Sequence, residues 1–177
     1  MLNKILKFIK DKKFFLIGIL LAILIIIIDQ ITKNYSVNII NEIMRKTNGV
    51  HTHIKKTSFF NIVLVYNRGI SFGVFNDVDF MRNIIFCMIS FISAFVMYLS
   101  WKSDKAIEII CFSFIFGGAI GNIIDRVLYG AVVDFLDFHL GQLHWPAFNV
   151  ADSCVFIGTF GYLVADLFFT ENKTENR

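Results

Sequence analysis

The chain has 177 residues, 56% of them hydrophobic, a mean hydropathy of +0.64 and a single proline, Pro146. That is too apolar for a soluble domain, and the uncharged run 14–28 needs lipid or a very large protein around it. The net charge of +3, from 17 Lys and Arg against 14 Asp and Glu, is not the uniform basicity of a nucleic-acid binder.

Four windows are long and apolar enough to span a membrane: 14–30, 83–101, 106–124 and 153–169. They predict an all-α integral membrane protein, a single membrane domain with four transmembrane helices. Lys4, Lys7, Lys10, Lys12 and Lys13 precede the first helix, and no small-residue cleavage site follows it, so it reads as an uncleaved anchor. Lys102 and Lys105 hold the turn between the second and third helices. Both lysine-rich flanks are then cytoplasmic, both termini are cytoplasmic, and 33–82 and 125–152 lie outside. Within the first outer segment, 59–66 is rich in β-branched and aromatic residues, Asn67-Arg68-Gly69 suits a turn, and 70–75 partly alternates in polarity. This predicts a small extracytoplasmic β-sheet and loop region. The polar stretch 41–57 reads as a poorly ordered insertion.

A helix rises about 1.5 Å per residue, so depth can be counted from the cytoplasmic lysines. Sixteen steps from Lys13 to Asp29 cover roughly 24 Å, and 21 steps from Lys105 to Arg126 cover roughly 31 Å. Seventeen steps back from Phe169 to Asp152 cover roughly 26 Å. Asp29, Asn122, Asp125, Arg126, Asp134 and Asp152 therefore gather at the outer interface, despite the cost of ionisable groups near lipid. In the third helix, Gly117 and Gly121 allow close packing, Gly118, Asn122 and Arg126 form the adjoining row, and Gly130 can end the turn beyond.

Each residue also has a plain reading. Asp29 and Lys33, four apart, can be a local ion pair, Arg126 can snorkel to headgroups, Asp152 can cap the last helix, and Asp134 can be a loop acid. Asp137 reads as a polar-loop residue, and Glu108 and Asp166 as residues near cytoplasmic helix ends. Cys87, Cys111 and Cys154 show no metal-ligand spacing and read as small buried side chains.

Two carboxylates held close in a partly desolvated site do not both ionise easily. One keeps a proton while the other can accept one from water, which is the logic of aspartic proteases and requires no metal, thiol or covalent intermediate. Asp134 and Asp152 are the candidate pair, although a spacing of 18 positions does not by itself bring them together. His139 and His144 with Asp137 are the candidate zinc ligands, but their spacing matches no zinc motif. Ser153 and Cys154 lack the surroundings of a nucleophile.

Five blocks occur in order: Asp29-Gln30-Ile31-Thr32-Lys33; Asn67-Arg68-Gly69-Ile70-Ser71-Phe72-Gly73; Gly117-Gly118-Ala119-Ile120-Gly121-Asn122-Ile123-Ile124-Asp125-Arg126; Gly130-Ala131-Val132-Val133-Asp134-Phe135; and Trp145-Pro146-Ala147-Phe148-Asn149-Val150-Ala151-Asp152-Ser153. Together they resemble the lipoprotein signal peptidases, or signal peptidase II, of bacterial cytoplasmic membranes. The resemblance implies cleavage of a diacylglyceryl-modified prolipoprotein just before its lipidated cysteine, without a cofactor. It maps the catalytic pair to Asp134 and Asp152. Asn67, Asn122, Arg126 and Asn149 would line the peptide site, and Asp29, Lys33 and Asp125 would be structural or orienting. Ser71 stands where many members have Ala, and 41–57 is longer than the family pattern. The expected partners are lipid-modified prolipoproteins and membrane lipids, with no nucleic acid, and the protein is expected to act as a monomer. The rival readings are a small proton-linked membrane transporter, which would place its acids deep within the helices, and a noncatalytic binding protein.

Overall fold

A computed structural model describes residues 12–49, 53–68 and 78–170, with side chains left out at 78–82, 169 and 170. The first three lysines of the amino-terminal flank, the 70–75 segment with Ser71 and the carboxy-terminal tail lie outside the described residues. Four long helices and a small antiparallel sheet make up the fold: α1 (Lys13–Lys46), β1 (Ile54–Lys55), β2 (Phe60–Asn67), α2 (Val78–Lys102), α3 (Ala106–Tyr129), β3 (Val132–Leu140), β4 (Leu143–His144) and α4 (Val150–Thr170). Each helix contains a stretch long and apolar enough to cross a membrane.

α3 is the central helix and packs against the other three. Its small residues make that possible. A Cβ at Gly117 would stand 2.9 Å from the Ala22 carbonyl oxygen, and one at Gly121 would stand 2.6 Å from Asp29 Oδ2. α3 ends at Gly130, which takes the left-handed conformation at φ 67° and donates its N–H to the Arg126 carbonyl at 3.1 Å. Away from this seam, Leu20, Phe91, Phe156 and Phe160 are exposed, forming the surface that lipid covers. Cys111 and Cys154 are buried, but Cys87 is exposed on α2, contrary to the expectation of three buried thiols.

The first helix does not stop near residue 30. It continues through Lys46, about 51 Å in all at 1.5 Å per residue, and its upper part buries Ser36 and Ile40. Much of the segment read as an outer loop is therefore a helical post, and 41–46, read as part of a poorly ordered insertion, forms its top. Residues 54 and 55 of that same insertion pair with β2. The last helix likewise begins at Val150, three residues before its expected start.

The sheet has the order β1-β2-β3-β4. β2 pairs with β3 from Phe60↔Phe138 to Asn67↔Val132, with an irregularity between Ile62 and Val65. The partner of β2 thus comes from the second outer segment, expected as a connecting loop. Asp137 lies in β3 and is buried, where a polar loop was expected.

Candidate active site

Asp134 enters from β3 and Asp152 from the first turn of α4, so two elements must be aligned to bring them together. Asn149 aligns them. Its Nδ2 donates to Asp134 Oδ1 at 2.7 Å, while its Oδ1 accepts the Asp152 backbone N–H at 2.9 Å. Asp152 Oδ2 accepts the Asn149 N–H at 3.3 Å, completing a reciprocal capping arrangement. Asn149 is therefore the cap of α4. Asp152 is the cap's partner three residues on, with its other oxygen turned to different use.

That oxygen, Oδ1, accepts Asn122 Nδ2 at 2.7 Å. Asp134 Oδ2 accepts Asn67 Nδ2 at 3.0 Å from the end of β2. Three asparagines from three elements thus hold the two carboxylates.

Beneath them lies a buried charge cluster. Lys33 is 2% exposed, and its ammonium meets Asp29 Oδ2 and Asp125 Oδ2 at 2.8 Å each and Asn122 Oδ1 at 3.0 Å. The fourfold spacing of Asp29 and Lys33 does give an ion pair, but one that reaches across to α3. Asp29 Oδ1 also accepts the Ala151 N–H at 2.9 Å, tying α1 to the start of α4, and Asp125 Oδ2 accepts the Val133 N–H at 3.0 Å, tying α3 to β3. Gln30 completes the shell by donating to Asp125 Oδ1 at 2.9 Å and the Gly121 carbonyl at 3.2 Å. Gln30 carries no charge and was not singled out. Its place beside Asp29 at the membrane edge was the available signal.

Burial separates the two carboxyls. Asp134 is 1% exposed, and desolvation raises its pKa to about 6. Hydrogen bonds from Asn67 and Asn149 oppose that rise, and the nearby Asp152 charge adds to it. Asp152 is half-buried and opens on two grooves. One, of about 560 Å³, is lined by Asn122, Arg126 and apolar residues of α2, α3 and α4. The other, of about 380 Å³, lies beneath Trp145 and Phe148. Arg126 donates to the Asn122 carbonyl at 3.1 Å and is among the residues that line the first groove.

The alternative zinc ligands are arranged otherwise. Asp137 accepts Asn61 Nδ2 at 2.7 Å and contacts His144 Nδ1 at 2.8 Å, and the His139 and His144 rings stack with centroids 4.9 Å apart. Among the described residues, no three His, Cys, Asp or Glu side chains are grouped to hold a metal ion.

Fold and site define a multi-pass membrane protein with a paired-carboxylate centre at one end of its helices. The family model described as signal peptidase (SPase) II matches residues 21–169, and the chain belongs to that family. It is 43% identical over 159 residues to a lipoprotein signal peptidase of Francisella tularensis subsp. novicida, covering 88% of this chain and 93% of that one. It is 35% identical over 152 residues to one from Anaplasma phagocytophilum, covering 86% and 92%. A bacterial membrane enzyme structure solved by the in meso method at 2.3 Å resolution superposes with a TM-score of 0.68 at 31% identity, covering 88% of this chain and 90% of that one.

Proposed function

We propose that this signal peptidase II removes signal peptides from prolipoproteins by aspartic chemistry at Asp134 and Asp152. The observation that carries the reading is the joint hold of Asn149 on both carboxylates, one buried and one opening on grooves. In this reading Asp134, the more buried carboxyl with the raised pKa, carries the proton, and Asp152, beside the grooves, is the base. Asp152 takes a proton from water as the water oxygen bonds to the scissile carbonyl carbon, and Asp134 gives its proton to the carbonyl oxygen. The resulting diol collapses when Asp152 returns a proton to the nitrogen, Asp134 recovers one from a hydroxyl, and the C–N bond breaks. Both carboxyls end as they began.

The substrate is a diacylglyceryl-modified prolipoprotein, cut just before its lipidated cysteine, with its acyl chains remaining in the bilayer. The apolar walls around Asp152 suit such chains, while Arg126 binds peptide carbonyls at the groove's edge. Asn67, Asn122 and Asn149 set the carboxylates first and line the peptide path second. No metal or thiol takes part. The protein works as a monomer in the bacterial cytoplasmic membrane, with both termini cytoplasmic and the dyad at the outer face. Reporter fusions after Lys56 and after Arg177 should then score on opposite sides. The decisive experiment is cleavage of a lipid-modified prolipoprotein by the purified protein in detergent. Asp134→Asn and Asp152→Asn should each lower turnover by about 10²–10⁴-fold while leaving the fold intact. Near-normal turnover in either variant would remove the dyad.

A further inference from the structure

We propose that the β3–β4 hairpin is a second membrane-contacting element, laid apolar side down on the bilayer interface next to the active site. The pairings His139↔His144 and Leu140↔Leu143 divide the hairpin into two faces. Side chains alternate along a strand, so Phe138, Leu140, Leu143 and Trp145 share one face, and Asp137, His139 and His144 share the other.

Among the described residues, none covers the tip of the apolar face. Leu140 and Leu143 are 84% and 80% exposed, the highest values for large hydrophobic side chains among the described residues, and Trp145 is 69% exposed. A hairpin tip this apolar is a liability in water. The opposite face is polar throughout. It lines a cavity of about 670 Å³ together with His53, Lys55, Asn61 and the apolar Val63, Leu64, Val65 and Ala147, and Trp145 borders the cavity.

Continuity with the lipid-facing surface identifies the occupant. Phe138 stacks on Phe148 at 5.9 Å and 18°, and Phe148 and Trp145 share a groove with Phe156 and Ile157. Phe156 and Ile157 lie on the exposed face of α4, which spans the membrane. The apolar face of the hairpin therefore prolongs the surface that acyl chains already cover. An indole beside leucines at this level matches the preference of Trp for the interface, with its ring among headgroups and upper acyl carbons.

The chain has two tryptophans, and Trp101 lies by Lys12 and Phe15 at the other end of the bundle. A Trp101→Phe protein thus reports on Trp145 alone. The full-length variant would be reconstituted into phosphatidylcholine vesicles containing lipids brominated at successive acyl positions. Blue-shifted Trp145 emission is expected, quenched most by bromines nearest the headgroup, less by deeper ones, and little by aqueous iodide. Leu140→Ser with Leu143→Ser, at sites with few contacts to lose, should shift the emission red and reverse the order of quenchers. Emission quenched by iodide but not by bromolipid would overturn the proposal. So would blue-shifted emission insensitive to both, which would mean that protein covers the face. Neither readout depends on catalysis, so loss of the dyad assignment would leave this result standing.

Discussion

Lys33 Nζ lies 3.0 Å from Asn122 Oδ1, and this contact, with Asn149 Nδ2 donating to the same oxygen at 3.2 Å, sets which way the Asn122 amide points. An ammonium only donates, so the amide oxygen must face it and the amide nitrogen must face Asp152, 2.7 Å away. A cation on α1 thereby presents a hydrogen-bond donor, rather than an acceptor, to a carboxylate on α4.

Lys33→Met should accordingly be costly twice over. It leaves the buried Asp29 and Asp125 carboxylates without their shared cation, a loss of about 3–5 kcal/mol. It also removes one of the two donors that orient the Asn122 amide oxygen, leaving only Asn149 Nδ2 at 3.2 Å to hold it. Thermal unfolding in detergent should show the first effect, and cleavage by the protein that remains folded should show the second. A variant that melted with the parent would mean that the cluster is not charged as described.

The pH dependence follows from Asp134. Its carboxyl is raised from the ordinary 3.8 to about 6, first by burial, so the folded chain holds this proton more tightly than the unfolded one. Its contribution to stability is complete below about pH 4 and is lost as pH rises through about 6, a change of about 3 kcal/mol at 1.36 kcal/mol per unit. Stability curves in detergent between pH 4 and 7 should fall accordingly, and Asp134→Asn should flatten them. Because the proposed mechanism needs that proton, kcat/KM should also decline through about pH 6.

Arg126→Lys keeps a positive charge but loses the planar set of donors at the groove's edge. The variant should insert and fold, yet cleave on the order of 10²-fold more slowly, because a misplaced scissile bond forfeits the benefit of positioning. Cleavage at the parent rate would reduce Arg126 to a headgroup contact.

Gly121→Ala should destabilise through crowding. The added methyl would stand 2.6 Å from Asp29 Oδ2, whose carboxylate is pinned by Lys33 and by the Ala151 N–H. With no room to retreat, the cost should be about 1–3 kcal/mol, read as a lowered melting temperature.

The sequence displayed the helices and the level of the site because both rest on one-dimensional quantities, apolar length and rise per residue. Asp29, Asn122, Asp125, Arg126 and Asp152 could be set at one level by counting along the helices, and Asp134 followed as a residue of the segment that connects two of them. What counting could not supply was the direction of each side chain. Asn67, Asn122 and Asn149 were expected to line a peptide path, and their amides turn out to be engaged with carboxylates. β3 escaped notice because Val132, Val133, Asp134 and Phe135 are all buried, so the alternation that marks a half-exposed strand is missing. The length of α1 escaped because its upper part leaves the apolar regime, where hydropathy stops reporting on helices.

That length makes α1 a rotational gauge between two levels of the molecule. Lys33 is one key, set in the charge cluster, and Ile40, wholly buried two turns above on a helix that also contacts the sheet, is the other. Inserting one residue between them would turn everything above by about 100° and raise it about 1.5 Å, so the two keys could not engage together. Changes in chain length should be tolerated beyond Lys46, where the helix has ended, and rejected between Lys33 and Ile40, where the helix sets both height and phase.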